Sequence, residues 1–330
     1  TADYGFVEET VAEPVPTLDT VAYDAKLRQL AHFGAEEIVE APESDAETGA
    51  AVPVTVSLWP ANAAYPNVGA LLPFNRIVAY YGNFYSTGMG VLGQYAPDTV
   101  IEMLKGEVAK WNEADPTTPV LPAIDYIAVT AQAGAGKDGM YRARMPDAQI
   151  DKAVTMADEV GGIVILEVQP GLADIMDEVR ALEPYLLMPQ VHLAIDPEFA
   201  MRASGKAPGT VVGTVDATQV NAVAEYLATL VRDNVLPPKI LMVHRYTRPM
   251  VTNATDIEPL PEVQIIMDMD GWGPPSQKIA SYEAYIAPYP VQFTGFKLFY
   301  KNDTLRVGSR MLTPAEILEL TPSPSFIQYQ

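Results

Sequence analysis

Two apolar runs in the sequence each end in a pair of carboxylates. One run ends in Asp196 and Glu198, and the other ends further along the chain in Asp268 and Asp270. Both runs resemble buried strands, and the active site of a parallel barrel is built at the carboxyl ends of its strands. Two acidic strand ends in one barrel mouth predict chemistry on carbohydrates. Glycoside hydrolysis uses one carboxyl group to donate a proton and another to stabilise the positive charge on the sugar ring.

A single residue, Pro197, separates Asp196 from Glu198. Their side chains would point in the same direction if the strand continued through them, because alternate residues of a strand share a face. A carboxylate next to another carboxylate has a raised pKa, so one of the two could stay protonated near neutral pH and act as a general acid. The alternative is that Asp196, Pro197 and Glu198 only end the strand and cap the next turn.

Apolar runs alternate with helical patterns from residue 76 onward. Seven runs predict strands: Arg76 to Tyr81, Ile124 to Thr130, Ile163 to Val168, Val191 to Ile195, Ile240 to His244, Val263 to Met267 and Phe296 to Tyr300. Five stretches have helical periodicity: Pro97 to Trp111, Asp147 to Val160, Leu172 to Tyr185, Ala217 to Val235 and Pro275 to Ile286. Repeated alternation of strand and helix predicts a parallel sheet covered by helices. We therefore predict an α/β fold of the (β/α)8 TIM-barrel type, either closed or imperfect.

A closed barrel needs an eighth strand, and two runs compete for that position. Val52 to Leu58 alternates like a strand, although Pro53 favours an edge position, and Thr210 to Val215 is also apolar. A doubly wound open sheet is the competing topology, but it should carry a glycine-rich phosphate-binding turn directly after an early strand. Gly88 to Gly93 has the glycine spacing without a strand leading straight into it, and we interpret it as a loop after the first strand.

The charge and composition of the chain exclude several classes of function. The 330 residues include 42 acidic and 21 basic ones, and the formal net charge is -21. This charge repels phosphate backbones, so we exclude nucleic acid as a partner. The absence of cysteine rules out disulfides, thiolate metal sites and a cysteine nucleophile. The three histidines form no metal-binding pattern, and we predict neither a metal nor a cofactor.

The first 70 residues differ in composition from the rest of the chain. Residues 1–50 contain twelve acidic residues, two basic residues and three scattered prolines. This composition is typical of a tether or a weakly ordered arm. Val21 to Phe33 has helical spacing, so one short helix could dock on the main body. We divide the chain into an acidic N-terminal extension, residues 1–70, and a barrel domain, residues 71–330. We expect the barrel to remain folded without the extension.

Parts of the sequence resemble the chitinase-like glycoside hydrolases of family eighteen. Arg76 to Phe84 is similar to the family's first strand, which reads as an aliphatic pair, Gly-Tyr-aromatic and then Asn-Trp. The family's fourth-strand signature is Asp-x-x-Asp-x-Asp-x-Glu. It falls on Val191, Ala194, Asp196 and Glu198, so the final Asp-x-Glu is kept and the two earlier aspartates are not.

Two later segments extend the resemblance, which covers residues 76–300 in order. The family's sixth-strand pattern, Met-x-Tyr-Asp, falls on Met267 to Asp270, with Met269 in place of the tyrosine. Gly295 to Tyr300 falls where the family's final strand brings an aromatic floor.

The resemblance implies a retaining, substrate-assisted mechanism on an acetamido-sugar polysaccharide. Glu198 would be the general acid/base, Asp196 would orient the acetamido group of the substrate, and Asp270 would bind near the cleaved bond. Ala194 and Met269 replace two residues of the family pattern. The rival hypothesis is therefore a non-catalytic barrel that binds carbohydrate or serves as a surface assembly protein.

Short motifs are also similar to those of bacterial secreted and lipoprotein-type proteins. They are Tyr80-Tyr81-Gly82, Gly90 to Gly93, Asp196 to Phe199, Met269-Asp270-Gly271 and Lys297 to Tyr300. This similarity implies an exported protein, and the chain begins with Thr1, as it would after removal of a signal segment. No apolar run is long enough to predict a membrane-spanning segment. We expect an extracellular or cell-surface location.

Further polar and aromatic residues fall at the predicted strand ends and are candidates for substrate binding. They are Tyr80, Tyr81, Glu167, His244, Tyr246, Asp268, Trp272 and Tyr300. Aromatic side chains in a ring would stack on sugar faces, although such residues also fill barrel tops as packing. His244 lies on an apolar strand, where a histidine with satisfied hydrogen bonds is more common than a catalyst. A third hypothesis, a cytosolic enzyme that uses these acids to bind magnesium and a phosphorylated substrate, is disfavoured by the net charge.

Overall fold

The computed structural model describes residues 17–33 and 63–330, and its centre is a closed barrel of eight parallel strands. The strands are β1 (Arg76–Gly82), β2 (Val120–Ala131), β3 (Ile163–Val168), β4 (Val191–Ile195), β5 (Lys239–Arg245), β6 (Val263–Met269), β7 (Phe293–Leu298) and β8 (Phe326–Tyr329). Each strand pairs in parallel with the next, and β8 closes the cylinder against β1, where Ile77 lies opposite Phe326. Helices lie between successive strands except between β5 and β6, where the 3₁₀ turns Arg248–Met250 and Ala254–Asp256 take their place. The predicted (β/α)8 TIM-barrel class is confirmed.

The eighth strand comes from the carboxyl-terminal segment, which the apolar patterns do not predict. Phe326–Tyr329 is only four residues long and follows a segment rich in proline and serine, so its apolar signal is weak. The prediction for Thr210 to Val215 is wrong. In that region only Val215–Asp216 forms a strand, and it pairs with Val251–Thr252 outside the barrel. The other candidate, Val52 to Leu58, lies outside the described residues.

The order of the strands shows where the two acidic segments lie around the barrel. Glu198 and Asp270 follow β4 and β6, which are the fourth and sixth strands that the resemblance implies. The stretch 295–300, which resembles the family's final strand, instead belongs to β7 and the loop after it. The segment is therefore not part of the last strand, although one of its aromatic residues, Phe299, lines the cavity at the barrel mouth.

Nine helices occur within the described ranges of the chain. They are α1 (Thr20–Leu30), α2 (Val91–Gln94), α3 (Pro97–Ala114), α4 (Asp147–Glu159), α5 (Ile175–Ala181), α6 (Glu183–Leu186), α7 (Ala217–Asn234), α8 (Pro275–Tyr285) and α9 (Pro314–Leu318). Proline starts α3, α8 and α9, where its missing N–H costs no helical hydrogen bond. The single helix expected from Leu172 to Tyr185 is divided at Leu182 into α5 and α6. None of the helices in the described residues is long and apolar enough to cross a membrane.

Side chains alternate along each strand between the helix layer and the barrel interior. Outward residues such as Val78 and Leu193 join the apolar cluster under the helices. In the half of the barrel at the amino ends of the strands, the interior is apolar and contains Ile77, Ile165, Ile240, Ile266, Phe293 and Phe326. Toward the carboxyl ends, the buried interior residues become polar or ionisable: Tyr81, Asp125, Glu167, His244, Asp268, Lys297 and Gln328. The ionisable layer therefore rests on an apolar base.

Helix α1 closes the barrel at the amino ends of the strands. Asp19 caps the helix by accepting a hydrogen bond from the backbone N–H of Ala22 at 2.9 Å. Tyr23 is only 5% exposed and packs in the interior apolar cluster with Leu72. The other end of the helix is fixed by the backbone carbonyl of Leu30, which accepts a hydrogen bond from Ser323. This part of the N-terminal extension is therefore packed against the barrel.

Tyr23→Ala tests whether that packing stabilises the barrel. Removing a buried aromatic ring loses its burial and leaves a cavity, so we expect the free energy of unfolding to fall by about 3 kcal/mol. Val21 is on the same helix and 79% exposed, so Val21→Ala is the matched control and should change stability by less than about 0.5 kcal/mol. Urea unfolding followed by circular dichroism measures both. Equal, small effects of the two substitutions would show that α1 does not stabilise the barrel.

Candidate active site

A cavity of about 660 Å³ opens at the carboxyl ends of the barrel strands. Small-molecule sites commonly have volumes of this size. The carboxyl end of β7 and the loops that follow β4, β5, β6 and β7 contribute most of its ionisable and aromatic wall: Asp196, Glu198, Tyr246, Asp270, Trp272, Lys297 and Phe299. Loop residues at this end of a parallel barrel are the usual location of catalytic groups.

Asp196, Glu198 and Asp270 converge in this cavity. One carboxylate oxygen from each of the three residues lies within 4.8 Å of the other two. The ammonium Nζ of Lys297 is 3.0 Å from Oδ1 of Asp270 and 3.7 Å from the centre of the Tyr81 ring. An acidic cluster with one paired cation is thus present at the place where two acidic strand ends predict it.

The turn after β4 determines the position of Glu198. Oδ1 of Asp196 accepts a hydrogen bond from the backbone N–H of Glu198 at 2.9 Å, and Pro197–Phe199 forms a short 3₁₀ turn. The two side chains are therefore not two steps of one continuous strand. Asp196 caps the turn and is only 2% exposed, whereas Glu198 is half-buried. Asp196 therefore caps the turn after the strand and also lines the cavity, so the two alternatives for this residue are both observed.

The same three carboxylates could contribute oxygen ligands to a hard cation such as Ca²⁺ or Mg²⁺. They fit such an ion only in part, because Ca²⁺ takes six to eight oxygen ligands. Lys297 already supplies a positive charge at Asp270. We derive no chemical step through a metal ion, and the expectation of a site without metal or cofactor stays a prediction.

A buried ionic network lies beneath the cavity. His244 is fully buried, with Nε2 2.9 Å from Oε2 of Glu167 and Nδ1 2.9 Å from Oδ2 of Asp268. The other oxygen of Glu167 accepts hydrogen bonds at 2.8 Å from the hydroxyl of Tyr81 and from Nε2 of Gln169. His244 Nδ1 also lies 3.7 Å from Oδ2 of Asp270, which connects the network to the cavity.

Buried acids outnumber buried cations in this part of the barrel. The acids are Asp125, Glu167, Asp196, Asp268 and Asp270, and the cations are His244 and Lys297. Burial raises the pKa of four carboxyl groups above their ordinary values: Asp125, Asp196, Glu198 and Asp268. Burial also acts to raise the pKa of Glu167, but the charge and hydrogen bond of His244, the charge of Lys297 and the hydrogen bond of Tyr81 together outweigh it and lower that pKa. Glu167 therefore favours the ionised form, whereas the four carboxyl groups with a raised pKa favour the protonated form.

The two cations keep their charge in spite of burial. The pKa of His244 is raised well above its usual value, because Asp270, Asp268 and Glu167 outweigh the desolvation that would lower it. The pKa of Lys297 is raised in the same way, chiefly by Asp270. His192, which is also buried, shows the opposite result: desolvation lowers its pKa well below the usual value, and nearby Lys239 adds to the effect.

The absence of a side chain at Gly295 makes room for Asp268 in this network. Gly295 lies opposite Asp268 in the pairing of β6 with β7. A Cβ atom on Gly295 would lie 2.4 Å from Oδ1 of Asp268, which is far closer than van der Waals contact. The carboxylate of Asp268 can therefore reach His244 only because residue 295 is glycine.

The structure separates the predicted substrate-binding residues into three groups. Tyr81, Tyr246 and Trp272 line the cavity. Glu167, His244 and Asp268 lie below it in the buried network and have no exposed surface. Tyr80 and Tyr300 belong to neither group: their hydroxyls hydrogen-bond to each other at 3.0 Å, outside the barrel interior, and Tyr300 also donates to Glu107 of α3. The expected aromatic ring at the barrel mouth therefore does not include Tyr80 and Tyr300.

Sequence reasoning missed several functional candidates. Lys297 and Gln328 lie in the barrel interior, Arg306 lines the cavity, and Gly295 admits Asp268. The signal for Lys297 was present, because it alternates with Phe296 and Leu298 in an apolar strand and must face the other side. No comparable signal identifies Gln328, since its strand was not predicted.

The comparisons with known proteins assign no function to this chain. No protein-family model matches the chain, and no curated protein matches it. Among solved structures, the clostridial cellulose synthase subunit Z from Clostridioides difficile is 10% identical, with 78% of this chain and 91% of that chain covered and a TM-score of 0.39. A chitinase of glycoside hydrolase family 18 from Pseudoalteromonas aurantia is 12% identical, with coverages of 77% and 93% and a TM-score of 0.38.

A third solved structure, the cellulase Cel5C_n, is 15% identical to this chain. The match covers 68% of this chain and 65% of that one, with a TM-score of 0.37. At these identities and TM-scores the similarities assign neither a reaction nor a substrate to this chain. The functional argument therefore depends on the geometry of the cavity.

The protonation of His244 can be measured directly, because the chain has only three histidines. We expect ¹⁵N NMR to show the His244 imidazole still protonated above the ordinary histidine pKa of about 6.5, while buried His192 stays neutral below it. His32→Gln and His192→Gln identify the resonances. A His244 imidazole that loses its proton near its ordinary pKa of about 6.5 would contradict the network described above.

The raised pKa of His244 also predicts how the stability of the protein depends on pH. The folded pKa of His244 lies above the unfolded value, so its stabilising effect is complete below about pH 6.5 and is lost as pH rises through the folded pKa. Its slope is at most about 1.4 kcal/mol per pH unit. Urea unfolding between pH 6 and pH 9 should show this decline.

Proposed function

We propose that the protein is a retaining glycoside hydrolase that acts on a polysaccharide at the mouth of the barrel. The observation that carries this proposal is the convergence of Asp196, Glu198 and Asp270, whose oxygens lie within 4.8 Å of one another. In a substrate-assisted enzyme the acetamido group of the sugar replaces a carboxylate nucleophile, so the site needs a carboxylic acid that reaches the cavity rather than a fixed carboxyl separation. Tyr246 and Trp272 add apolar ring surface for a sugar.

Glu198 is the general acid/base in this proposal. Burial, followed by the charge of Asp270, raises its pKa, which favours the protonated form that must donate to the leaving oxygen. Glu198 is half-buried and lines the cavity, so its carboxyl group can reach a bound glycosidic oxygen. The hydroxyl of Tyr246 donates a hydrogen bond to Glu198, which orients the carboxyl group and partly offsets the rise in pKa.

Asp270 and Asp196 have different tasks. Asp270 is paired with Lys297, so it is the negative partner for the positive charge that develops on the sugar ring. The pKa of Asp196 is raised well above its usual value, mainly by burial. We assign Asp196 to orient the acetamido group of an acetamido sugar, the substrate class that the sequence resemblance implies. An oxygen of Asp196 accepts a hydrogen bond from the acetamido N–H, and the acetamido carbonyl oxygen attacks the anomeric carbon as the leaving oxygen takes the proton of Glu198. An exported protein would meet such polysaccharides outside the cell.

The second candidate is a barrel that binds carbohydrate without cleaving it. The family pattern has functional residues where this chain has Ala194 and Met269, and both are fully buried apolar residues. Ala194 lies in the interior apolar cluster, and Met269 lies in the outer cluster under the helices. Neither side chain can orient a substrate, so this candidate predicts sugar binding without turnover.

Glu198→Gln separates the two candidates. Glutamine keeps the shape but cannot donate the proton, so hydrolysis should fall by about 10²–10⁴-fold while binding remains. Release of reducing ends from chitin- and peptidoglycan-type oligosaccharides measures turnover, and calorimetry measures binding. Glu113→Gln, on the exposed face of α3, is the matched control. Turnover unaffected by Glu198→Gln would reject the assignment, and binding without any turnover by the unchanged protein would favour the second candidate.

Tyr246→Phe tests the role of the hydrogen bond to Glu198. That bond stabilises the ionised form, so its loss should raise the pKa of Glu198 further. A general acid must be protonated, and the alkaline limb of the kcat/KM profile should therefore move to higher pH by about one unit. Tyr95→Phe, at an exposed position outside the cavity, should leave the limb in place. An unshifted limb in Tyr246→Phe would show that Tyr246 does not influence the proton donor.

A further inference from the structure

The cavity wall contains an arginine that has no acidic partner. Three cations line the cavity, and two of them are paired: Lys278 with Asp303 and Lys297 with Asp270. The guanidinium of Arg306 makes no ion pair or hydrogen bond with any residue in the described ranges 17–33 and 63–330. Acidic residues are twice as frequent as basic ones in this chain, 42 against 21. The N–H donors of Arg306 are therefore available to a ligand in the cavity.

The loop that carries Arg306 is anchored at its base. Asp303 is only 1% exposed, and its carboxylate accepts hydrogen bonds from the backbone N–H groups of Gly273 at 2.9 Å and Phe299 at 3.0 Å. It also pairs with Nζ of Lys278 at 2.6 Å. These bonds join the loops after β6 and β7 to α8. Arg306 therefore extends from a fixed base rather than from an isolated surface loop.

We propose that the cavity binds a saccharide that carries a carboxylate, and that Arg306 binds this carboxylate. The proposal rests on the proposed function, in which the sugar chain lies beside Glu198, and it narrows the substrate class. A guanidinium presents two parallel N–H donors whose spacing matches the two oxygens of a carboxylate. Because Arg306 is exposed, its contribution is about tenfold in affinity, at the lower end for hydrogen bonds to charged groups.

The charge of the chain limits how many carboxylates the ligand can carry. A net charge of -21 repels dense polyanions, whereas one carboxylate per disaccharide places a single negative charge at one cation. Peptidoglycan-type glycan has this composition, because every second acetamido sugar bears a lactic acid ether. Chitin-type chains of equal length lack only that group. The two glycans are therefore matched probes for the Arg306 interaction.

Binding is best measured on the full chain with Glu198→Gln, in which turnover is suppressed. Calorimetry with a peptide-free peptidoglycan tetrasaccharide and with chitotetraose should show about tenfold tighter binding of the first. Adding Arg306→Gln should abolish this preference and leave the affinity for chitotetraose unchanged. Arg310→Gln is the control, because Arg310 pairs with Glu316 and does not line the cavity. A hyaluronan tetrasaccharide, whose carboxylates belong to uronic acids, tests the other source of the same group.

The possible outcomes distinguish this proposal from the proposed function. Equal affinity for all three tetrasaccharides, a preference that survives Arg306→Gln, or no binding of any of them overturns the carboxylate site. The hydrolase proposal then still stands if the unchanged protein cleaves a glycan and Glu198→Gln does not. If the protein prefers the peptidoglycan tetrasaccharide through Arg306 but the unchanged protein cleaves no glycan, the carboxylate site stands and the hydrolase proposal fails. Tighter, Arg306-dependent binding of hyaluronan supports the site and assigns the carboxylate to a uronic acid.

Discussion

The barrel mouth depends on a shortage of positive charge in the barrel interior. Five buried carboxyl groups share two buried cations: His244 lies between Glu167 and Asp268, and Lys297 pairs with Asp270. Burying an unpaired charge costs several kcal/mol, so the acids without a cation must either keep a proton or meet the solvent in the cavity. The positions of His244 and Lys297 therefore determine which carboxyl groups are ionised and which are protonated. The functional proposal assigns the proton donor and the negative partner according to this division.

The fold makes this arrangement possible by separating two kinds of interior. Apolar side chains fill the barrel near the amino ends of the strands, and Tyr23 of α1 completes that packing. The ionisable layer lies above them and is shielded from solvent on its lower side. Strong interactions between charges require such a low-dielectric surrounding, and they also require that every charge is held in place. The apolar base thus provides the environment, and the strand register provides the positions.

Hydrophobic periodicity was sufficient to predict the barrel class, seven of its strands and the acidic ends of β4 and β6. These features depend on local alternation, which a sequence shows directly. The eighth strand was missed, because Phe326–Tyr329 is short and gains its stability from pairing with β1 and β7 on both sides. The pairing of Glu167 with His244 across the barrel joins residues 77 positions apart, and no local pattern encodes such a contact. Tyr80 and Tyr300 were misplaced because adjacent strand residues face opposite sides, and the end of a strand alone does not determine which side.

Gly295 affects the buried ionic network although it lies outside the cavity wall. Its missing side chain admits the carboxylate of Asp268, but Gly295 itself does not line the cavity wall. The smallest enlargement at this position, a single methyl group, would displace an acid from His244 without altering the surface that a sugar contacts. Selection or engineering at residue 295 could therefore change the contact between Asp268 and His244 while leaving the surface that a sugar contacts intact.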